Sequence, residues 1–142
     1  MSTVLNLIVV IALVALFAVP AGAADAAAPV AGQRYFELRT YITPPGKLAA
    51  LNTRFRDHTC KLFQKHGMTL IGFWTPASGP TADNTLIYLL AHASKEAAEA
   101  SWKAFRADPD WIKAKAASEV DGPLTEKVEG LGLLPTDYSP MK

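Results

Sequence analysis

Two apolar rhythms take turns along residues 34–134. From Arg34 to Ile42 the chain alternates, with Tyr35, Glu37, Arg39 and Tyr41 on one side and Phe36, Leu38, Thr40 and Ile42 on the other. A period of two with aromatic and β-branched residues predicts a half-buried strand. Pro44-Pro45-Gly46 ends it, because proline brings no N–H to a ladder. From Lys47 to His66 the period lengthens: Leu48, Leu51, Phe55, His58 and Leu62 recur three or four apart, which predicts a helix with these residues turned inward. Gly67 supplies the left-handed residue that closes it.

Met68 to Thr75 reads as a second strand, Pro76 to Asp83 as a turn-rich loop, and Thr85 to His92 as a third strand. In that third strand Leu86, Tyr88, Leu90 and His92 share one side and Ile87, Leu89 and Ala91 the other. Ser94 caps a helix running to Ala107 with Ala98, Trp102 and Phe105 inward. Asp108-Pro109-Asp110 restarts a helix, with aspartate at the cap and proline in the first position, and Gly122-Pro123 stops it. Thr125 to Leu134 is the last strand, where Gly130 and Gly132 signal a bulge or a close backbone approach. Pro135 to Lys142 is turn-like.

The order β-α-β-β-α-β is the split, ferredoxin-like arrangement, an α+β fold with a four-stranded antiparallel sheet and helices on one face. The second face must be solvated or covered. Tyr35 and Tyr41 are expected there, and a homodimer packing sheet against sheet is the expected cover.

Ahead of this domain, Val4 to Val19 is apolar except for Asn6 and is followed by Pro20 and the small run Ala21-Gly22-Ala23-Ala24. An apolar stretch before an A-x-A site is the pattern of a secretory signal peptide, with cleavage expected after Ala23. The rival expectation is an uncleaved anchor, since the apolar length approaches the roughly 20 residues of a membrane helix. Residues 24–33 read as a flexible linker and 34–142 as the domain. Both expectations place the domain outside the cytoplasm, periplasmic or secreted, or held at a membrane by its N-terminal segment.

Half the chain is hydrophobic, but the leader inflates that share, and the remainder has ordinary globular composition. A formal charge of +1 excludes a strongly basic nucleic-acid binder and an acidic disordered tail. One cysteine, Cys60, excludes an internal disulfide framework and a cysteine-rich zinc site; a buried thiol is expected, with pairing between chains as the rival. There is no phosphate loop, dinucleotide fingerprint or nucleophile motif.

Several short strings now carry a resemblance. Glu37-Leu38-Arg39-Thr40-Tyr41, Pro45-Gly46-Lys47, Phe55-Arg56-Asp57-His58-Thr59, Lys65-His66-Gly67-Met68, Gly72-Phe73-Trp74, Trp102-Lys103-Ala104-Phe105 and Asp108-Pro109-Asp110-Trp111, in one uninterrupted order, resemble a NIPSNAP domain. The resemblance implies a dimeric α/β-barrel fold and no agreed reaction. Animal members are linked to mitochondria, vesicle traffic and autophagy factors; this chain departs from them as a single domain behind a secretory-type leader, so those roles do not transfer. Similar dimeric α/β barrels hold small ligands, haem included, in the cleft between sheet and helices.

Candidate chemistry is weighed against that background. His58, placed on the inner helix face, is expected to point at the sheet, either as a general base in the cleft or as a core histidine bonded to Glu37, Tyr41 or a carbonyl. Glu37, Arg39 and Tyr41 form either a polar wall that orients a ligand or a charge pair across a dimer interface. Trp74, before Pro76, is the candidate pocket rim. His66 is expected to serve the helix end and His92 to face a loop, and the three histidines lack metal-ligand spacing. Lys47, Arg54, Lys61 and Lys65 form a basic stripe, read as a solvated face or as a contact for anionic lipid. The expected function is an exported homodimer of unassigned activity that binds a small apolar ligand or a protein partner, with no metal, cofactor or nucleic acid. The alternative is a cofactor-independent monooxygenase or a haem-handling enzyme using the cleft.

Overall fold

Strands β1 (Tyr35–Ile42), β2 (Thr69–Trp74), β3 (Thr85–His92) and β4 (Lys127–Leu133) form one sheet in the order β2-β3-β1-β4. Every neighbouring pair is antiparallel. Between β1 and β2 runs a continuous helical rod: α1 (Leu48–Arg54), a π-helical turn (Phe55–Thr59) and α2 (Cys60–Lys65). Helices α3 (Lys95–Ala107) and α4 (Pro109–Ser118) connect β3 to β4. The computed structural model describes residues 33–142, so the leader and nearly all of the linker lie outside the described residues. Among the described residues no helix is long and apolar enough to cross a membrane.

Local chemistry explains the boundaries. Ser94 accepts a hydrogen bond from the Ala97 N–H at 3.1 Å and caps α3. Asp108 accepts from the Asp110 N–H at 2.8 Å, with Pro109 in the first turn of α4. Gly67 follows the helical rod with φ +79°, the left-handed residue its position requires.

The sheet divides the domain into two faces. Register places Tyr41 opposite Leu86, Arg39 opposite Tyr88 and Glu37 opposite Leu90. Residues directly opposite in an antiparallel pair share a face, so the face that buries Leu86, Tyr88 and Leu90 under the helices also carries the odd-numbered side chains of β1. Tyr35 and Tyr41 therefore lie on the helix side, not on the open face where the alternation alone had placed them. The Tyr41 ring meets Phe55 edge-on at 5.8 Å. Phe55, Phe63, Tyr88, Trp102 and Phe105 make a continuous aromatic core between sheet and helices, closed by Leu51, Met68 and Leu124.

The helical rod departs from the even spacing expected of it. Its π-helical turn inserts one residue into the ladder, so Phe55, Thr59, Leu62 and Phe63 all point inward while His58 is exposed. The expectation that His58 faces the sheet is corrected on that ground. The basic stripe is corrected as well. Arg54 is 4% exposed, with Nη1 2.7 Å from Glu119 Oε1 and its guanidinium over the Trp111 ring. Lys65 pairs with Asp108 at 2.8 Å and Asp110 at 3.3 Å, and Lys47 donates to the Asp121 carbonyl. Only Lys61 of the four behaves as a plain surface cation. Cys60 is partly buried against the core, and that burial pushes its thiol up from the ordinary value.

Candidate functional site

The helix side of β1 carries a polar cluster inside an otherwise apolar interior. Glu37 is its centre. One carboxylate oxygen accepts from the Trp102 indole N–H, and His92 Nε2 sits 3.2 Å from the same oxygen. The other oxygen accepts from Arg39 Nη1 at 3.3 Å. The Arg39 guanidinium in turn lies 4.5 Å over the Trp102 ring, so one tryptophan holds both members of the ion pair, by its N–H and by its π face. Arg39 and Glu37 belong to the same strand, and the pair points under the helices.

Burial would raise the Glu37 carboxyl, but the approach of His92, the Trp102 hydrogen bond and the Arg39 charge outweigh it, and the group lies below the ordinary glutamate range. Burial works against the Arg39 charge, yet the Tyr41 and Tyr88 phenols and Glu37 push its pKa higher. Tyr88, wholly enclosed, has its phenol held well above the usual value by burial. Tyr35 is raised by burial and by Glu37 and Glu99.

Strand β4 makes room for these side chains. A Cβ on Gly130 would come within 2.7 Å of Arg39 Nη1, and one on Gly132 would overlap the Tyr35 hydroxyl. The two glycines thus let Arg39 and Tyr35 lie flat across the outer strand, which settles the choice between bulge and close approach for β4. The register irregularity of the sheet sits instead in β2, between Leu70 and Gly72.

Four buried polar atoms of this region have no hydrogen-bond partner among the described residues: Arg39 Nε, the Tyr88 hydroxyl and both ring nitrogens of His92, whose Nε2 lies 3.2 Å from Glu37 without hydrogen-bond alignment. An unpartnered buried polar atom costs about 1–3 kcal/mol, so these atoms are the energetically expensive part of the cluster.

Of the residues expected to form a site, Glu37, Arg39 and Tyr41 come together here. His58 does not: it lines an outer groove between the π-helical turn and α4. Trp74 is also elsewhere, 52% exposed at the end of β2 and folded over Gly72. His92 and Trp102 are the members that sequence reading missed. His92 was placed facing a loop, yet it is 2% exposed. The signal for it was present, since His92 continues the Leu86-Tyr88-Leu90 face, and pairing β3 with β1 sets it opposite Tyr35, diagonal to Glu37. His66 likewise has a partner the sequence did not suggest, Asp108 Oδ2 at 2.7 Å, which ties the end of α2 to the α3–α4 junction. Among the described residues no group of three or more His, Cys, Asp or Glu side chains is placed to hold a metal ion.

Residues 36–140 match the family model of the NIPSNAP domain. No curated protein matches the chain. Among solved structures, a NIPSNAP family protein of unknown function from Agrobacterium tumefaciens shares 23% identity with a TM-score of 0.67, covering 78% of this chain and 96% of its own. A second NIPSNAP family protein from the same bacterium is 25% identical with a TM-score of 0.67, over 77% of this chain and 99% of its own. SnoaB, a cofactor-independent oxygenase from Streptomyces nogalater, is more distant: 12% identity and a TM-score of 0.50, over 76% of this chain and 98% of its own. That last likeness is one of fold.

Proposed function

The chain belongs to the NIPSNAP family, and on that premise we propose that it is an exported homodimer whose sheet–helix cleft binds a small, largely apolar ligand. The observation that carries this reading is the set of unpartnered buried polar atoms, Arg39 Nε, Tyr88 Oη and both His92 ring nitrogens, around Glu37. A cleft with aromatic walls and a few polar groups fixed in direction is the ordinary make-up of a small-molecule site. Glu37, held ionised by three partners, orients Arg39 and His92, and Tyr41 belongs to the same wall. Entry over β4, exposed along its whole length, requires the Arg39 and Tyr35 side chains that lie over Gly130 and Gly132 to swing aside, with Val128 adding an apolar patch next to them.

The homodimer rests on the other face. Leu38, Ile87, Leu89, Leu131 and Leu133 lie across three strands with no helix above them, and Trp74 extends the patch. Exposed apolar area of that continuity marks an interaction surface, and a second copy of the same sheet covers it by two-fold symmetry. Export rests on the apolar leader and its Ala21-Gly22-Ala23 site.

A second reading has one observation in its favour. His92 has a carboxylate beside Nε2 and an open Nδ1, the arrangement of an imidazole held in place as a proton acceptor. On this reading the cleft takes a proton from its ligand, as a cofactor-independent oxygenase could require, or handles haem.

Native mass spectrometry of the protein purified from its own compartment tests both readings. The expected spectrum is a dimer of leader-free chains carrying a defined small-molecule adduct that Arg39→Ala and His92→Ala lose. A bare dimer that gains no ligand from a cell extract overturns the binding reading, and turnover of the captured molecule, lost in His92→Gln, separates the enzyme from the carrier.

A further inference from the structure

The Glu37 cluster is closed in two different ways. Trp102 from α3 and His92 from β3 are 8% and 2% exposed and form a packed wall. Toward β4, which is exposed along its whole length, the cover is made of two β1 side chains, Arg39 lying on Gly130 and Tyr35 on Gly132. Register explains the placement. Gly130 stands directly opposite Arg39, and Gly132 stands opposite Glu37, diagonal to Tyr35. A Cβ at either position would lift the side chain above it, so glycine lets both lie down on bare backbone. Bare backbone offers contact area but no side chain to interlock with, and each cover depends on its other contacts to stay in place.

Those contacts are unequal. Arg39 Nη1 donates to Glu37 Oε1 at 3.3 Å, and its guanidinium lies 4.5 Å over the Trp102 ring. The bond is long for a charge-assisted pair, ordinarily about 2.7–2.9 Å, and Arg39 Nε has no partner among the described residues. Tyr35 has less to hold it. It is partly exposed, and its ring meets the His92 ring at a tilt with 6.3 Å between centroids. Each side chain also screens a different member of the wall: Arg39 stands over Trp102, and Tyr35 stands at His92, its partner across the β1–β3 pair.

We propose that Arg39 and Tyr35 are the two leaves of a gate, Tyr35 a loose leaf that uncovers His92 and Arg39 a latched leaf that uncovers Trp102 only when its bond to Glu37 breaks. The proposal rests on the cleft reading and adds how entry to that cleft is controlled. Both leaves pivot about their own side-chain torsions on β1, so the sheet need not move. Tyr35 opens more often than Arg39, and an entering molecule meets His92 before it meets the ion pair.

Two probes read the leaves separately in the purified full chain with no ligand added. One is hydrogen exchange of the Trp102 indole N–H; the other is modification of His92 by diethyl pyrocarbonate, followed by peptide mass spectrometry with the exposed His58 as internal reference. Tyr35→Ala removes the loose leaf and should speed His92 modification at least about tenfold, with Trp102 exchange held within about twofold. Gly130→Ala lifts Arg39 and should do the converse, speeding Trp102 exchange at least about fivefold with His92 held within about twofold. The amide of Leu90, which has no exposure, reports loosening of the whole domain, and both leaf-specific increases should exceed any change there. Unchanged rates in both variants overturn the gate, and so do His92 and Trp102 rates that rise only in step with Leu90. Neither probe needs a ligand, so these results overturn the gate alone, whereas a bare dimer in the mass spectrum overturns the cleft.

Discussion

The two faces of the sheet are made by the same strands and hold opposite kinds of side chain. Under the helices, alternate residues of β1 and β3 surround a carboxylate, a guanidinium and an imidazole with aromatic rings, and Tyr88 and Leu90 have no exposure at all. On the other side the intervening residues are mostly apolar, with Thr40 and Thr85 as exceptions in β1 and β3, several are partly open, and they carry no helix. A period-two strand makes this separation automatic, because neighbouring residues cannot share a face. Polar groups placed in the interior require partners and a fixed geometry, whereas an apolar open face requires only a cover. On the proposed function, chemistry belongs to the first face and assembly to the second.

Substitutions sharpen this contrast in order of expected size. Tyr88→Ala removes the ring at the middle of the aromatic core and should cost about 3–5 kcal/mol in chemical denaturation. Leu89→Ala, one residue along and on the open face, should cost the free chain clearly less, and equal losses would refute the division. Trp102→Phe keeps the packing but takes the indole N–H from Glu37; leaving that carboxylate short of a donor should cost about 1–3 kcal/mol. Gly132→Ala forces the Tyr35 hydroxyl off β4, for a loss of about 1 kcal/mol, because the displaced atom ends a movable side chain. Leu131→Arg, on the open face at 56% exposure, should change the stability of the free chain by about 0.5 kcal/mol or less.

Acid separates the faces as well. The Glu37 carboxyl titrates lower in the folded chain than in the unfolded one. Its contribution is therefore complete above the ordinary glutamate range, near about 4.3, and is lost as pH falls through the lowered folded value. Thermal melts of the protein should lose stability over that acid window more steeply than melts of Glu37→Gln. Coincident pH profiles would show that the cluster does not hold the carboxylate ionised.

Element order, strand limits and both aspartate and serine caps were legible because each depends on local spacing: Ser94, Asp108-Pro109 and Gly67 act within a few residues of themselves. Facing was less legible. The β1 alternation sorted Tyr35, Glu37, Arg39 and Tyr41 together correctly, but which set turns inward is decided by the residues of β3 opposite them, a long-range fact. His58 was misplaced because a single inserted residue in the π-helical turn shifts the face, and neither helix propensity nor apolar spacing announces it. Arg54 and Lys65 read as a surface stripe because their partners, Glu119 and Asp108, lie far along the chain at the two ends of α4. Trp102 was legible as a core position, whereas His92 was read as facing a loop, and only their convergence on Glu37 made them chemistry.

The division of labour between the faces is tested most directly by sedimentation equilibrium of the protein and of Leu131→Arg, side by side. The account predicts a dimer for the first and a folded monomer for the second. A monomeric parent, or a Leu131→Arg variant that remains a dimer, would contradict it.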